Sequence, residues 1–184
     1  NTVGDLNVFI GAFSGERNTQ GHHNVFLGFS AGWGSIDGIN NVIIGREAGY
    51  DKKHGEGCVF IGSEAGYSDT LGNYNVFIGP AAGYSNINGQ SNVFIGSRSG
   101  ESNIGGNRNV FIGDSAGHES QYGQRNVFIG SQAGYYCNED DNVLIGTAAG
   151  KNNFAGFHNV MIGNEVGYDC TGSSNLIAGN RAAY

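Results

Sequence analysis

Hydrophobic residues in this chain come in threes, and each trio is bracketed by Asn and Gly. The phrase Asn-Val-Phe-Ile-Gly stands at Asn7–Gly11, Asn75–Gly79, Asn92–Gly96, Asn109–Gly113 and Asn126–Gly130. Close variants begin at Asn24, Asn41, Cys58, Asn142, Asn159 and Asn175. The eleven starts lie 17 residues apart eight times and 16 apart twice. A period this short means one small unit stacked on itself. The whole of 1–184 therefore reads as a single solenoid domain rather than an ordinary globular one.

Val-Phe-Ile is a β-branched and aromatic run ended by Gly, which predicts a three-residue strand. A Gly-rich turn follows, then a polar return. Stacking the copies pairs each strand with its equivalent in the next coil, parallel and in register. The expected fold is an all-β parallel β-solenoid or β-roll of eleven 16–17-residue coils, about 50 Å long at the inter-strand spacing.

Side chains alternate along a strand, so Val and Ile point one way and the middle residue the other. In a thin two-sided roll the flanking columns fill the lumen: Val8, Val25, Val42 and Val59 with Ile10, Leu27, Ile44 and Ile61. Small residues at the eighth position (Ser14, Ala31, Ala48, Ala65, Ala82) face them. The middle column is then left outside. It runs Phe9, Phe26, Ile43, Phe60, Phe77, Phe94, Phe111, Phe128, Leu144, Met161 and Ile177. Such a stripe exceeds the few hundred Å² of contiguous apolar surface usual on a soluble monomer, which makes it an expected oligomer interface. The alternative is a wider solenoid with this column inside and Val/Ile outside.

Two further columns carry polar or aromatic chemistry. The first position is Asn in ten of eleven copies, which suits stacked amides at a tight turn. The tenth is largely aromatic: Trp33, Tyr50, Tyr67, Tyr84, Tyr135, Tyr168 and Tyr184, interrupted by Glu16, Glu101, His118 and Lys151. Its plain reading is packing at a coil edge. Its sharper reading is a ligand-contact strip for glycan or protein.

Composition narrows the function. Net charge is −7 with nine Lys and Arg, and no basic stripe follows any column, which argues against nucleic acid. No apolar run approaches a membrane span. Cys58, Cys137 and Cys170 read as free thiols: the last two share the twelfth position but stand two coils apart, roughly 9–10 Å and beyond disulfide reach. Gly28-Phe29-Ser30-Ala31-Gly32 and Gly113-Asp114-Ser115-Ala116-Gly117 match the G-x-S-x-G nucleophile elbow, yet both are ordinary repeat junctions with a variable seventh residue. Asn138-Glu139-Asp140-Asp141 is a solvated acidic loop in preference to a Ca²⁺ site. His22, His23, His54, His118 and His158 lack metal-ligand spacing. No catalytic residue, metal or cofactor is expected, and the chain reads as a non-enzyme.

With these residues in place, the Asn-Val-Phe-Ile-Gly…Ala-Gly pattern resembles the head-domain repeat of trimeric autotransporter adhesins. Val8, Ile10, Gly11 and their equivalents match that repeat's Val, Ile and Gly over essentially the whole chain. It is also similar to repeats of phage tail fibres. The adhesin repeat has Ala where this chain has Phe, and is usually shorter. The resemblance implies a left-handed β-roll, a homotrimer of side-by-side chains, and a place outside the cell or on its surface, in contact with extracellular matrix, a host surface or glycans. On the phage side it implies a virion fibre.

Neither end of the sequence carries a capping repeat. Asn1–Leu6 occupy positions twelve to seventeen and Asn175–Tyr184 positions one to ten, so Tyr184 followed by Asn1 would complete a 16-residue coil. With no initiating Met, the expectation is an excerpt of a longer array; the alternative is a subunit that stacks end to end into a filament. The functional expectation is an extracellular structural or adhesive fibre segment. Beside it stand a glycan- or matrix-binding module of a phage tail fibre and a self-assembling filament subunit.

Overall fold

A computed structural model describes residues 3–183. Asn1 and Tyr184, which entered the end-to-end coil and the tenth-position column, lie outside the described residues. The chain forms eleven three-residue strands: β1 (Val8–Ile10), β2 (Val25–Leu27), β3 (Val42–Ile44), β4 (Val59–Ile61), β5 (Val76–Ile78), β6 (Val93–Ile95), β7 (Val110–Ile112), β8 (Val127–Ile129), β9 (Val143–Ile145), β10 (Val160–Ile162) and β11 (Leu176–Ala178). They make one parallel sheet in sequence order. Equivalent residues pair throughout, as in Phe77↔Phe94 and Phe94↔Phe111. Among the described residues there is no helix, and none therefore long and apolar enough to cross a membrane. This is the expected all-β parallel solenoid.

The partition between inside and outside reverses the thin-roll expectation. Phe26, Ile43, Phe60, Phe77, Phe94, Phe111, Phe128, Leu144 and Met161 are 0% exposed within the single chain, and Phe9 and Ile177 pack against them at the ends. The middle column is the chain's own core and not an oligomer interface. The Val and Ile columns instead occupy the outer face of the sheet, half-buried in the middle coils and exposed toward both ends.

The physical reason is the Gly at the ninth position. A Cβ on Gly100 would lie 2.6 Å from the Phe94 ring, and one on Gly83 2.6 Å from the Phe77 ring. The missing side chain opens a slot that the ring fills, with Ala82, Ala116 and their equivalents closing the wall. Successive rings then stack nearly parallel, with centroids 4.6–4.9 Å apart from Phe60–Phe77 to Phe111–Phe128. The coil rise equals the stacking distance, so one residue type repeated in register fills the lumen with little void.

The polar half of the lumen is built on the first-position Asn. From position 24 to position 175 the backbone N–H of this column donates to the side-chain Oδ1 of the preceding coil's Asn at 2.8–3.0 Å, except at Asn75, which follows Cys58. Each Nδ2 donates to the carbonyl that closes its own coil, as in Asn75 to Gly89 and Asn92 to Gly106, both 2.7 Å. The amides thus bond mainly to backbone rather than to one another. They satisfy buried groups that a packed core would otherwise strand.

The fourth coil breaks this rule and repairs it. Cys58 stands where Asn belongs, so the Gly72 carbonyl loses its amide donor. The Lys52 Nζ donates to that carbonyl instead. Lys52 is fully buried, and Asp69, also fully buried, neutralises it at 2.8 Å. Asp69 in turn accepts from Gly72 N at 3.0 Å, Asn75 Nδ2 at 3.0 Å and Asn86 Nδ2 at 2.7 Å. One substitution in the Asn column is therefore coupled to an ion pair in the twelfth-position column.

Candidate functional site

The tenth-position column forms a stack on the surface. Trp33, Tyr50, Tyr67 and Tyr84 lie face to face, with centroids 4.8–5.0 Å apart and planes within 10°. Beyond Tyr84 the column is polar but continuous: Glu101 pairs with His118 Nε2 at 2.8 Å, and His118 stacks on Tyr135 at 4.7 Å. The Lys151 ammonium sits between Tyr135 and Tyr168, 5.8 and 5.7 Å from their centroids. At the other end Trp33 Nε1 donates to Glu16 at 2.5 Å, and the Arg17 guanidinium lies 3.7 Å over the indole. All six predicted contact residues, Trp33, Tyr50, Tyr67, Tyr84, Tyr135 and Tyr168, thus share one column.

Much of the column's face area is spent internally. Tyr50 and Tyr67 are covered on both faces by rings, Trp33 by Arg17 and Tyr50, and Tyr135 by His118 and Lys151. Partial burial, and then the neighbouring tyrosines, raise the Tyr67 hydroxyl above its ordinary pKa; burial does the same first for Tyr135. A sugar stacks on an aromatic face, and at Trp33, Tyr50, Tyr67 and Tyr135 both faces are taken.

The outer sheet face has the opposite character. The strands from Val8 to Ala178 present two parallel columns of aliphatic side chains without one charge. Two residues along a strand span about 7 Å, so the strip is about 10 Å wide and about 50 Å long, on the order of 500 Å². Its side chains are half-buried in the middle coils and exposed toward both ends of the described residues.

The residues with apparent chemistry sit at repeat positions of the coil. Ser30 and Ser115 are buried at left-handed corners (φ 53° and 54°) between coils, and the turn continues to the next corner rather than into a helix. Ser115 Oγ donates to Asp114 at 3.3 Å. The acidic loop is tied to the coil before it: Arg125 forks onto Asp141 at 2.7 Å twice and reaches Asp140 at 3.2 Å. These bonds hold the Asp141 carboxyl below its ordinary pKa. Among the described residues no group of three or more His, Cys, Asp and Glu is arranged to hold a metal.

All three cysteines are free. Burial pushes the Cys58 thiol up and the Cys137 thiol up to about 12, whereas Cys170 is half-buried. Thiolate is the reactive form, so native protein at neutral pH is expected to take one alkyl group, at Cys170, and two more only after unfolding. Peptide mapping after iodoacetamide treatment checks this; labelling of native Cys137 would contradict the buried twelfth position.

Compared with known proteins, the chain matches no protein family, and neither a curated protein nor a solved structure gives a match.

Two features were not legible from the repeat. The first is the pair of left-handed corners at non-Gly residues in nearly every coil, such as Glu64 and Tyr74 (φ 60° and 56°). Their variable residue types conceal a constant backbone. The second is the buried Lys52–Asp69 pair, whose only sequence signal is two opposite charges at the same position of adjacent repeats.

Proposed function

We propose that this chain is a non-enzymatic rod segment of an extracellular fibre, assembled side by side with copies of itself through the outer sheet face. The observation that carries the reading is the uncharged Val/Ile strip. At about 500 Å² it stands at the upper end of what a monomer leaves exposed. Because it runs the length of the rod, parallel chains packed side by side would each bury a continuous strip. Three chains is the number that the resemblance to adhesin heads implies. The Phe column gives each rod its own rigidity, and the Val/Ile columns supply cohesion between rods. The polar return loops then face outward, where an adhesive surface on a cell or a virion would lie.

Replacing Val76, Ile78, Val93 and Ile95 together by Lys tests this. The variant is expected to keep its β-sheet circular dichroism and to sediment as a single chain, while the parent sediments as an oligomer of fixed size. Two like-charged strips facing each other lose the apolar gain and add repulsion. An unchanged sedimentation coefficient in the folded variant would refute assembly through this face.

A further inference from the structure

The edge that follows the return loop carries most of its charged groups in internal pairs. His22 meets Asp5 at 2.6 Å, and His54 meets Asp37 at 2.7 Å. The Tyr74 hydroxyl donates to Glu56. Arg125 and His158 converge on Asp141. Between these pairs lies a stretch where the recognition groups are unspent.

There, across three successive coils, Gln90, Ser91, Asn107, Arg108 and Gln124 line an open hollow of about 230 Å³. Asn107 forms its floor and is fixed by the backbone: its Oδ1 accepts from Gln90 N, and its Nδ2 donates to Gly105 O, both 2.8 Å. The Gln90 and Gln124 side-chain amides carry no bond among the described residues. Nor does the Arg108 guanidinium, although Arg46, Arg125 and Arg181 are all ion-paired. No acid is among the five lining residues, and the adjoining Asp140 carboxylate is engaged by Gln124 N at 2.8 Å and by Arg125 at 3.2 Å.

Beside it stands Tyr122, 59% exposed. Its ring lies against bare Gly105, where a Cβ would come 3.7 Å from Tyr122 Cδ1. Unlike the tenth-position rings, it has no ring stacked upon it among the described residues.

We propose that this hollow binds an acidic saccharide, a sugar carrying a carboxylate. Arg108 takes the carboxylate, since a guanidinium without an internal acid matches that group's planar geometry. The Gln90 and Gln124 amides and the Ser91 hydroxyl take ring hydroxyls. Tyr122 offers its free face to the apolar side of the pyranose. The volume suits one or two sugar units. A neutral sugar would leave the guanidinium unmatched; a phosphate alone would leave the amides and the ring unused.

The proposal rests on the surface-fibre reading and is tested apart from it. Parent and variants are passed over an array of hexuronate and sialic-acid glycans, each beside its carboxyl-reduced counterpart. The parent is expected to retain carboxylated glycans at least about tenfold more strongly than the reduced forms, as befits one charge-assisted contact. Arg108→Gln abolishes that preference, Tyr122→Ala weakens retention about tenfold, and Tyr67→Ala with Tyr84→Ala leaves it unchanged. No retention of any carboxylated glycan, equal retention of both forms, or a loss that follows Tyr67 instead of Arg108 would overturn the site. Sedimentation of Arg108→Gln stays that of the parent, so failure here leaves assembly through the sheet face standing.

Discussion

Asp69→Ala is expected to destabilise the chain by about 3–5 kcal/mol, the loss typical when one partner of a buried ion pair is removed. The Lys52 ammonium would be left fully buried with a single carbonyl for company. Two amides, Asn75 Nδ2 and Asn86 Nδ2, would lose the acceptor they share. Lys52→Met should cost less than Asp69→Ala, because the Asp69 carboxylate keeps three donors, Gly72 N, Asn75 Nδ2 and Asn86 Nδ2. The coupling to Cys58 gives a sharper form of the same prediction. Replacing Lys52, Cys58 and Asp69 all by Asn restores the pattern of the fifth and sixth coils, where Asn86 and Asn103 occupy the twelfth position and Asn75 and Asn92 the first. That triple variant is expected to recover most of the stability lost in Asp69→Ala, by urea unfolding followed by circular dichroism. Full additivity of the three single losses would show that the fourth coil is not a compensated unit.

The periodic part of this architecture was open to reading from the sequence. Strand positions, parallel register and coil length all follow from a phrase repeated at fixed spacing, because an in-register stack has no freedom to do otherwise. The side of the strand that faces inward did not follow. Alternation fixes that Phe94 opposes Val93 and Ile95; it does not fix the width of the coil. The width was encoded six residues later, in Gly100, whose missing Cβ is the space the ring occupies. Reading that Gly only as a turn residue favours a thin roll and puts Phe outside. That reading puts the Phe column on the surface and the Val/Ile columns in the core, the reverse of the structure.

The surface was legible in parts. The aromatic column was evident as a column, yet whether its rings offer faces or edges depends on side-chain torsions that spacing does not encode. The hollow at Gln90–Gln124 was invisible for a different reason. Its significance is that, among the described residues, the Arg108 guanidinium and the Gln90 side-chain amide carry no bond and the Tyr122 ring has no ring stacked on it, and partnership is a property of three dimensions.

The inside–outside assignment is the claim on which the rest depends, since it decides which columns build the rod and which are left for the proposed association. Phe94 and Ile95 are neighbours on β6 with opposite predicted roles. Phe94→Asp removes a fully buried ring, worth about 3–5 kcal/mol, and puts an unpaired carboxylate among stacked aromatics, so the total loss should exceed about 5 kcal/mol. Ile95→Asp changes a half-buried residue on the outer face and should leave the single chain within about 1 kcal/mol of the parent, its cost appearing instead as weaker assembly. The decisive measurement is urea unfolding of these two variants across a range of protein concentrations, which separates the chain's own stability from the contribution of association. The account predicts that Phe94→Asp unfolds at every concentration, while Ile95→Asp matches the parent at high dilution. A folded Phe94→Asp chain beside an unfolded Ile95→Asp chain would contradict it.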